Sequence, residues 1–376
     1  MSNKTVFLAI TSASVLIFSY GLFVGQYHIF PYDLLQDFKG KVFDDKKSEA
    51  NLYTDKYIYN VNPSELIRID TKFDAIEKKN SIINYIWSGV GFPYDMFPSN
   101  IDEDIFDEKL SNLGNLKRVD KITIEMEYDV NSISYLLIPN VTNNKLIIYH
   151  AGHGEDFRQN DHILEFFLEK GFTVLAFSMP LTGMNNQPTV NFSEYGTIKL
   201  INHDRFKFLE SQKFSPIKFF VEPIILSLNY IDKNYHFTSY YFVGISGGGW
   251  TGILYSAIDD RISKTFSVAG SLPLYLRSDP QNYGDYEQEL PSLYSIANYL
   301  ELYVLGGYGK NRELVQIFNK NDPCCFGGQI SELYSNAVKN TLENLNVGSF
   351  DVYVDENNQH NISDITLKKI YQYINS

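Results

Sequence analysis

From about residue 120 onward, short apolar runs alternate with longer segments in which apolar residues recur on one helical face. In residues 122–128 every second position is apolar, which predicts a half-buried strand. Residues 145–149 and 173–177 are almost uniformly apolar, a pattern typical of strands covered on both faces of a parallel sheet. The chain therefore predicts strands that alternate with helices.

The pattern predicts eight strands and five helices in this part of the chain. The strands are expected at 122–128, 133–138, 145–149, 173–177, 240–243, 264–268, 313–318 and 350–354. The helices are expected at 160–170, 216–232, from about 248, 329–345 and 363–375. Such alternation indicates an α/β fold with a mostly parallel sheet flanked by helices on both faces.

Two segments break the alternation. Residues 182–214 have no clear period and are interpreted as an irregular insertion. Residues 271–311 contain Pro273, Pro280 and Pro291 among many tyrosines, and are interpreted as an inserted cap. The main domain is thus predicted to span 119–376, with insertions at about 182–214 and 271–311.

The N-terminus has a different pattern. Residues 5–25 carry no charge and are mostly apolar, Lys4 precedes them, and the first acidic residue is Asp33. About 20 such residues are enough to cross a bilayer, and a positive start followed by an apolar run is typical of an export signal. We expect an uncleaved signal anchor over residues 1–25, with the body of the protein on the extracytoplasmic side.

Two alternatives stay open for this segment. Residues 19–21 read Ser-Tyr-Gly, a weak cleavage motif, so the segment is alternatively a cleaved signal peptide of an exported protein. A buried helix of a soluble protein is the third interpretation, since several Ser and Thr residues make the segment less apolar. Residues 26–118, polar apart from a short apolar helix expected near 82–87, are interpreted as an extension packed on the main domain.

Composition narrows the possible partners and ligands. The formal net charge of −13 would repel a phosphate backbone, so nucleic acid is not an expected partner. Aromatic residues make up 15% of the chain, which suits an aromatic-lined pocket as well as an aromatic core. Cys324 and Cys325 are adjacent, so they cannot link distant segments, and they form either a vicinal disulfide or two packed thiols. The sequence predicts no particular oligomeric state.

A candidate nucleophile follows the fifth predicted strand. Residues 244–248 read Gly-Ile-Ser-Gly-Gly, which is the G-x-S-x-G pattern at a strand-to-helix turn. Gly244 and Gly248 permit the sharp turn that such a serine needs, and the Ser246 hydroxyl would stand at a helix N-terminus, where negative charge is favoured. No Gly-Lys-Ser/Thr follows, which excludes a phosphate-binding loop.

The base and the acid are expected after later strands. His360 comes just after the last strand, and Asp322 follows the seventh strand. The chain order Ser246, Asp322, His360 fits a Ser-His-Asp triad at the carboxyl ends of the strands. Asp279 and Asp285, after the sixth strand, are the alternative acids. Two acidic residues next to the last strand end, Asp355 and Glu356, are interpreted as solvated charges.

Oxyanion stabilisation requires backbone N–H donors near the serine. Gly247 is the first candidate, and either Gly152 or His153, in the His-Ala-Gly-His-Gly loop at 150–154, is the second. His150 and His153 are interpreted as structural, because no third metal ligand is evident near them, so no metal or cofactor is expected. His203, in the first insertion, is a candidate to line the pocket.

These motifs together resemble the α/β-hydrolase superfamily, and in particular its serine esterases and lipases. The resemblance covers about 120–376 and rests on the turn at Ser246, on Asp322, on His360 and on the loop 150–154. It implies acyl transfer to serine and then to water, without a cofactor. The loop has His-Ala-Gly-His-Gly where lipases often have His-Gly-Gly-Gly, and the cap matches no substrate family, so no closer family is assigned.

The sequence thus favours hydrolysis of a carboxylic ester with a small-molecule or lipid-like acyl group. The alternatives are a peptidase or amidase, an acyltransferase, and a binding protein that keeps the fold without catalysis. An intact serine, histidine and aspartate set favours an enzyme over a binding protein.

Overall fold

A nine-stranded sheet runs through the part of the chain that the computed structural model describes, which is residues 19–21, 24 and 60–376. Residues Asn62–Ser376 form one compact unit, to which residues 62–118 of the predicted extension belong. The strands of this sheet are β1 Asn100–Asp102, β2 Leu116–Glu125, β3 Asn131–Pro139, β4 Lys145–His150, β5 Thr173–Phe177, β8 Ser239–Ile245, β9 Ile262–Val268, β10 Glu313–Asn319 and β11 Ser349–Asp355. Two further strands, β6 Thr189–Phe192 and β7 Gly196–Lys199, form a separate two-stranded sheet.

The strand order in the large sheet is β1-β2-β3-β5-β4-β8-β9-β10-β11. The six strands from β5 to β11 in this order are mutually parallel, whereas β1, β2 and β3 are antiparallel to their neighbours. The predicted mostly parallel α/β sheet is confirmed. The predicted strand number is wrong by one, because β1 has only three residues and is too short to show a period in the sequence.

Ten α-helices are found in residues 60–376. They are α1 Pro63–Leu66, α2 Lys72–Ile86, α3 Asp161–Glu169, α4 Lys218–Asn234, α5 Gly247–Ile258, α6 Tyr286–Glu289, α7 Pro291–Ile296, α8 Tyr299–Gly307, α9 Ser335–Leu345 and α10 Asp364–Asn375. Ile163 of α3 and Ile370 of α10 are buried in one core cluster with Ile147, Val243 and Val315 of the sheet. Burial of such side chains is the main stabilising contribution of the fold.

Helix α2 is longer than the helix predicted at 82–87. A capping box begins it: the Thr71 hydroxyl accepts from the Asp74 N–H at 3.2 Å, and the Asp74 carboxylate accepts from the Thr71 N–H at 2.8 Å. Only the last turns of α2 are mostly apolar, which explains the short prediction. Side chains of α2 and of the segment before it also pair with Glu301 of α8, whose carboxylate is fully buried: Lys78 lies 3.0 Å from it and Arg68 3.2 Å.

The two insertions are more regular than predicted. Residues 182–214 contain the β6–β7 hairpin and a 3₁₀ segment at His203–Phe208. The hairpin is largely exposed, so it lacks the apolar alternation that marks a strand. Residues 271–311 contain the short helices α6, α7 and α8. Both insertions follow strands of the parallel part of the sheet, β5 and β9, and so leave the sheet at its carboxyl edge.

Most of the predicted signal anchor, residues 1–25, lies outside the described residues. Within the described part of the chain, no helix combines the length and apolar character needed to cross a bilayer. The anchor therefore stays a prediction.

Candidate active site

Ser246 stands on a sharp turn between β8 and α5. Its backbone has φ 53° and ψ −123°, a conformation that a residue with a side chain adopts only under strain. The Ser246 N–H donates to the carbonyl of Val268 on β9 at 2.8 Å, and the Ser246 carbonyl accepts from Trp250 in the first turn of α5 at 3.0 Å. These contacts hold the strained turn at the carboxyl end of the sheet.

The glycines on either side of Ser246 allow the turn to close. A methyl group at Gly244 would lie 2.2 Å from the carbonyl oxygen of Gly248, and a methyl group at Gly248 would lie 2.2 Å from that of His150. No side chain fits at such distances. The G-x-S-x-G spacing therefore follows from the close approach of α5 to β8 and β4.

Asp322 and His360 are adjacent at the same edge of the sheet, after β10 and β11. Nδ1 of His360 lies 2.9 Å from Oδ2 of Asp322 and 3.0 Å from Oδ1. The Asp322 side chain is fully buried and also accepts from the backbone N–H groups of Cys324 at 2.9 Å and Cys325 at 3.3 Å. A carboxylate held in this way fixes the orientation of the imidazole.

Two opposing influences act on the pKa of His360. Burial lowers it, but the hydrogen bond from the ring to Asp322 and the negative charge of that carboxylate outweigh burial, and the net pKa lies above the ordinary 6.5. A raised pKa makes the imidazole a better proton acceptor, as a general base requires.

Cys325 lies beside both His360 and Ser246. Its Sγ is 4.0 Å from Nε2 of His360, and it lies near the Ser246 hydroxyl. Among the described residues, no hydrogen bond joins Ser246 directly to His360. The sequence reasoning did not place Cys325 in the site; its position two residues after Pro323, in the turn that carries Asp322, was the available signal.

The alternative acids have other contacts. The Asp279 carboxylate accepts from the backbone N–H of Gln281 at 3.0 Å. Oδ2 of Asp285 lies 3.6 Å from Nε2 of His153, and in the described part of the chain no hydrogen bond or ion pair joins Asp285 to His360. The interpretation of Asp355 as a solvated charge is wrong, because it is buried and accepts from the hydroxyls of two residues at the start of α10, Ser363 and Thr366.

The loop after β4 packs against the nucleophile. A methyl group at Gly152 would lie 3.1 Å from Cβ of Ser246. The Gly152 N–H already donates to the Glu155 carboxylate at 3.3 Å. For the backbone N–H groups of His153 and Gly247, the described part of the chain contains no acceptor. Of the two predicted donors in this loop, His153 is thus the one whose N–H is unoccupied.

The histidines near the site differ in their surroundings. His150 is buried between the rings of Phe177 and Phe242, its Nδ1 lies 3.0 Å from the Ala151 carbonyl, and burial lowers its pKa to about 4. It has a structural role, as predicted for this residue. His153 and His203 instead line one cavity of about 670 Å³, whose lining includes none of Ser246, Asp322 and His360. The premise that His153 has no further ligand nearby does not hold, as described below.

This strand order, with a strained serine after β8 and a histidine and an aspartate after β11 and β10, is that of the α/β-hydrolase fold. Among solved structures, the chain is similar in fold to an acetyl xylan esterase from Paenibacillus sp. R4. The two align at a TM-score of 0.55 and 12% identity, covering 83% of this chain and 98% of that one.

Two further solved structures are similar in fold. Acetyl xylan esterase 1 from Thermoanaerobacterium sp. JW/SL YS485 aligns at a TM-score of 0.52 and 15% identity, covering 83% of this chain and 96% of that one. The glucuronoyl esterase from Solibacter usitatus aligns at 0.52 and 11% identity, covering 80% and 91%. No protein-family model and no curated protein sequence matches the chain. The likeness therefore establishes the fold.

Proposed function

We propose that the protein is a serine hydrolase that cleaves carboxylic esters through an acyl-serine intermediate. The observation that carries this proposal is the strained turn at Ser246 at the same sheet edge as the His360–Asp322 pair. The names of the structurally similar proteins, two acetyl xylan esterases and a glucuronoyl esterase, support an ester as the substrate.

In the proposed mechanism, Oγ of Ser246 attacks the ester carbonyl carbon while Nε2 of His360 takes its proton. Asp322 holds the ring and stabilises the imidazolium that forms. The tetrahedral intermediate collapses as the imidazolium protonates the departing alkoxide, which leaves an acyl-serine and a free alcohol. A water molecule, deprotonated by His360, then releases the carboxylic acid and restores the hydroxyl.

The oxyanion of the tetrahedral intermediate requires donors that are not already engaged. The Gly247 N–H, at the N-terminus of α5, and the His153 N–H meet this condition, whereas the Gly152 N–H is occupied by Glu155. A helix N-terminus also favours negative charge. We assign oxyanion stabilisation to Gly247 and His153.

Proton transfer requires Nε2 of His360 and Oγ of Ser246 to meet. Cys325 lies near both groups, and no hydrogen bond joins Ser246 to His360 in the described part of the chain. Catalytic hydrogen bonds are often long before the substrate binds and shorten in the substrate complex. We propose that a bound ester brings about this adjustment.

A fluorophosphonate probe tests the proposed function directly. The probe forms a covalent bond only with an activated serine, so we expect one label per chain, located at Ser246 by peptide mass spectrometry. Ser295, an exposed serine of α7, is the internal control and should stay unlabelled. Well-folded protein that takes up no label would contradict the proposal and favour a binding protein.

We further propose that residues 1–25 anchor the protein in a membrane with the α/β domain on the extracytoplasmic side. The support is the uncharged apolar run after Lys4. Full-length protein should fractionate with membranes and resist a high-salt wash, while a variant that lacks residues 1–25 should be recovered without detergent. Recovery of the full-length chain in the soluble fraction would contradict the anchor.

A further inference from the structure

Four side chains with metal-binding atoms converge beside the candidate active site. His153 belongs to the loop after β4, His203 to the first insertion, and Asp285 and Glu287 to the second insertion. One ligand atom from each lies within 4.8 Å of all the others. Residues more than 130 positions apart along the chain thus form one compact group of two imidazoles and two carboxylates.

Three distances within this group are close to those between the ligand atoms of a tetrahedral ion. Nδ1 of His203 lies 3.2 Å from Oε2 of Glu287, and Oδ2 of Asp285 lies 3.6 Å from both Nδ1 of His203 and Nε2 of His153. Zinc with bonds of about 2.0–2.1 Å to nitrogen and oxygen places its ligand atoms about 3.3 Å apart. A distance of 2.7 Å, between Nε2 of His153 and Glu287, is too short for two ligands of one ion. It involves Oε1 of Glu287, whereas Oε2 is the oxygen that faces His203.

Two buried polar atoms in the group have no hydrogen-bond partner. Oε2 of Glu287 and Nδ1 of His203 are both unsatisfied, although they lie 3.2 Å apart. The other ring nitrogen of His203, Nε2, lies 2.9 Å from the Pro180 carbonyl, and only an N–H can bond to that oxygen. Nδ1 of a neutral His203 therefore turns a lone pair toward Oε2 of Glu287, and only a positive charge between these two buried atoms, from a proton or a metal ion, satisfies both.

A positive ion removes this conflict. Glu287 is fully buried, and although its Oε1 pairs with His153, its Oε2 has no hydrogen-bond partner, which is costly for a buried carboxylate oxygen. The arrangement of His203, in which one ring nitrogen donates to a carbonyl and the other stays free, is the usual one for a metal-binding histidine. The mixed nitrogen and oxygen set suits zinc and similar transition ions, whereas Mg²⁺ and Ca²⁺ prefer oxygen ligands alone.

We infer that His153, His203, Asp285 and Glu287 bind one divalent transition-metal ion, with zinc the best fit. This site goes beyond the proposed ester hydrolysis. Four protein ligands form a closed coordination sphere, which is typical of a structural ion rather than of one that holds a reacting water. Asp285 is about half exposed and borders the 670 Å³ cavity, which gives the ion a path from solvent.

The ion would connect the active-site loop to both insertions. The ring of His153 lies over the N-terminus of α5, since a methyl group at Gly247 would lie 2.4 Å from its Cε1. Binding of Nε2 by the ion fixes this ring, and with it the loop that carries the proposed oxyanion donor. The ligands are therefore positioning residues for the oxyanion loop, in addition to holding the two insertions together.

Metal content of the untagged full-length protein tests the inference. After saturation with Zn²⁺ and exhaustive dialysis, we expect one equivalent of zinc by mass spectrometry, and its loss in Glu287→Gln and in Asp285→Asn. Replacement by Co²⁺ should give the visible absorption bands of a tetrahedral ion in the wild-type protein. His236→Asn, which alters an exposed histidine elsewhere, should keep the full equivalent.

A second group of side chains could account for bound zinc instead. Cys324, Cys325 and His360 also have ligand atoms within 4.8 Å of one another. The double variant Cys324→Ser/Cys325→Ser should retain the zinc, and a chelator should lower the melting temperature of the wild type but not of Asp285→Asn. Zinc lost from the cysteine variant and kept in Glu287→Gln, or no zinc in folded wild-type protein, would overturn the inference. None of these measurements depends on ester hydrolysis.

Discussion

Ser246→Ala is expected to lower kcat/KM for a short nitrophenyl ester by about 10⁶-fold, because alanine leaves no atom that can form the acyl intermediate. The backbone of the turn is fixed by the bonds to Val268 and Trp250, neither of which uses the Ser246 side chain. The fold should therefore survive, which circular dichroism and the melting temperature will show. Ser295→Ala, on the exposed side of α7, is the matched control and should keep full activity.

The neighbouring thiol supplies the competing outcome. Cys325 lies near Ser246 and His360, and its thiol is a second nucleophilic group there. Hydrolysis that survives Ser246→Ala and disappears in Cys325→Ser would show that the thiol, not the hydroxyl, carries the acyl group. Steady-state kinetics on the two single variants and on the double variant distinguish the assignments.

Asp322→Asn is expected to lower kcat by about 10⁴-fold, with little change in stability. The amide has nearly the shape of the carboxylate, but it supplies no negative charge for the imidazolium and favours the wrong tautomer of His360. Asp279→Asn changes the same residue type in a turn that does not contact His360, and it should leave activity nearly unchanged. A larger loss in Asp279→Asn than in Asp322→Asn would show that the acid is wrongly assigned.

The pH profile gives an independent measure of the same pair. His360 must be neutral to accept a proton, and its pKa lies above 6.5 because Asp322 outweighs the effect of burial. Wild-type kcat/KM should therefore fall as the pH decreases through a value above 6.5. In Asp322→Asn the charge is lost and burial remains, so the pKa of His360 should fall and the residual activity should persist to lower pH. If the fall in kcat/KM instead moved to higher pH in Asp322→Asn, the Asp322 carboxylate would not be what raises the pKa of His360.

The parts of the fold that the sequence predicted are those with a strong apolar period. The eight long strands of the sheet are buried on at least one face, so their residues follow the alternation or the continuous runs from which strands are recognised. β1, β6 and β7 have three or four residues each and none of these residues is buried, so no apolar period marks them as strands. Pairing alone makes them strands, with β2 for β1 and within the hairpin for β6 and β7.

Only part of the candidate site could be predicted from the sequence. Ser246, Asp322 and His360 each follow a predicted strand, and parallel strands bring their carboxyl ends to one edge, so the sequence was enough to group them. The position of Glu287 depends on how the second insertion folds back over the loop after β4, and no local pattern encodes that path. The contact of Cys325 with His360 depends in the same way on the turn after Asp322.

The two ends of the sheet affect how the molecule meets other copies of itself. An outer strand with unpaired backbone groups is a template for strand addition and aggregation. At one end, β1 pairs with residues 121–123 of β2, and the chain after β1 continues along β2, where the Ile105 N–H donates to the Val119 carbonyl. At the other end, β11 carries the charged Asp351, which pairs with Lys339. The edge at β2 is covered by β1 and the segment after it, and the edge at β11 carries a charged side chain. Both features discourage edge-to-edge pairing of sheets from separate molecules.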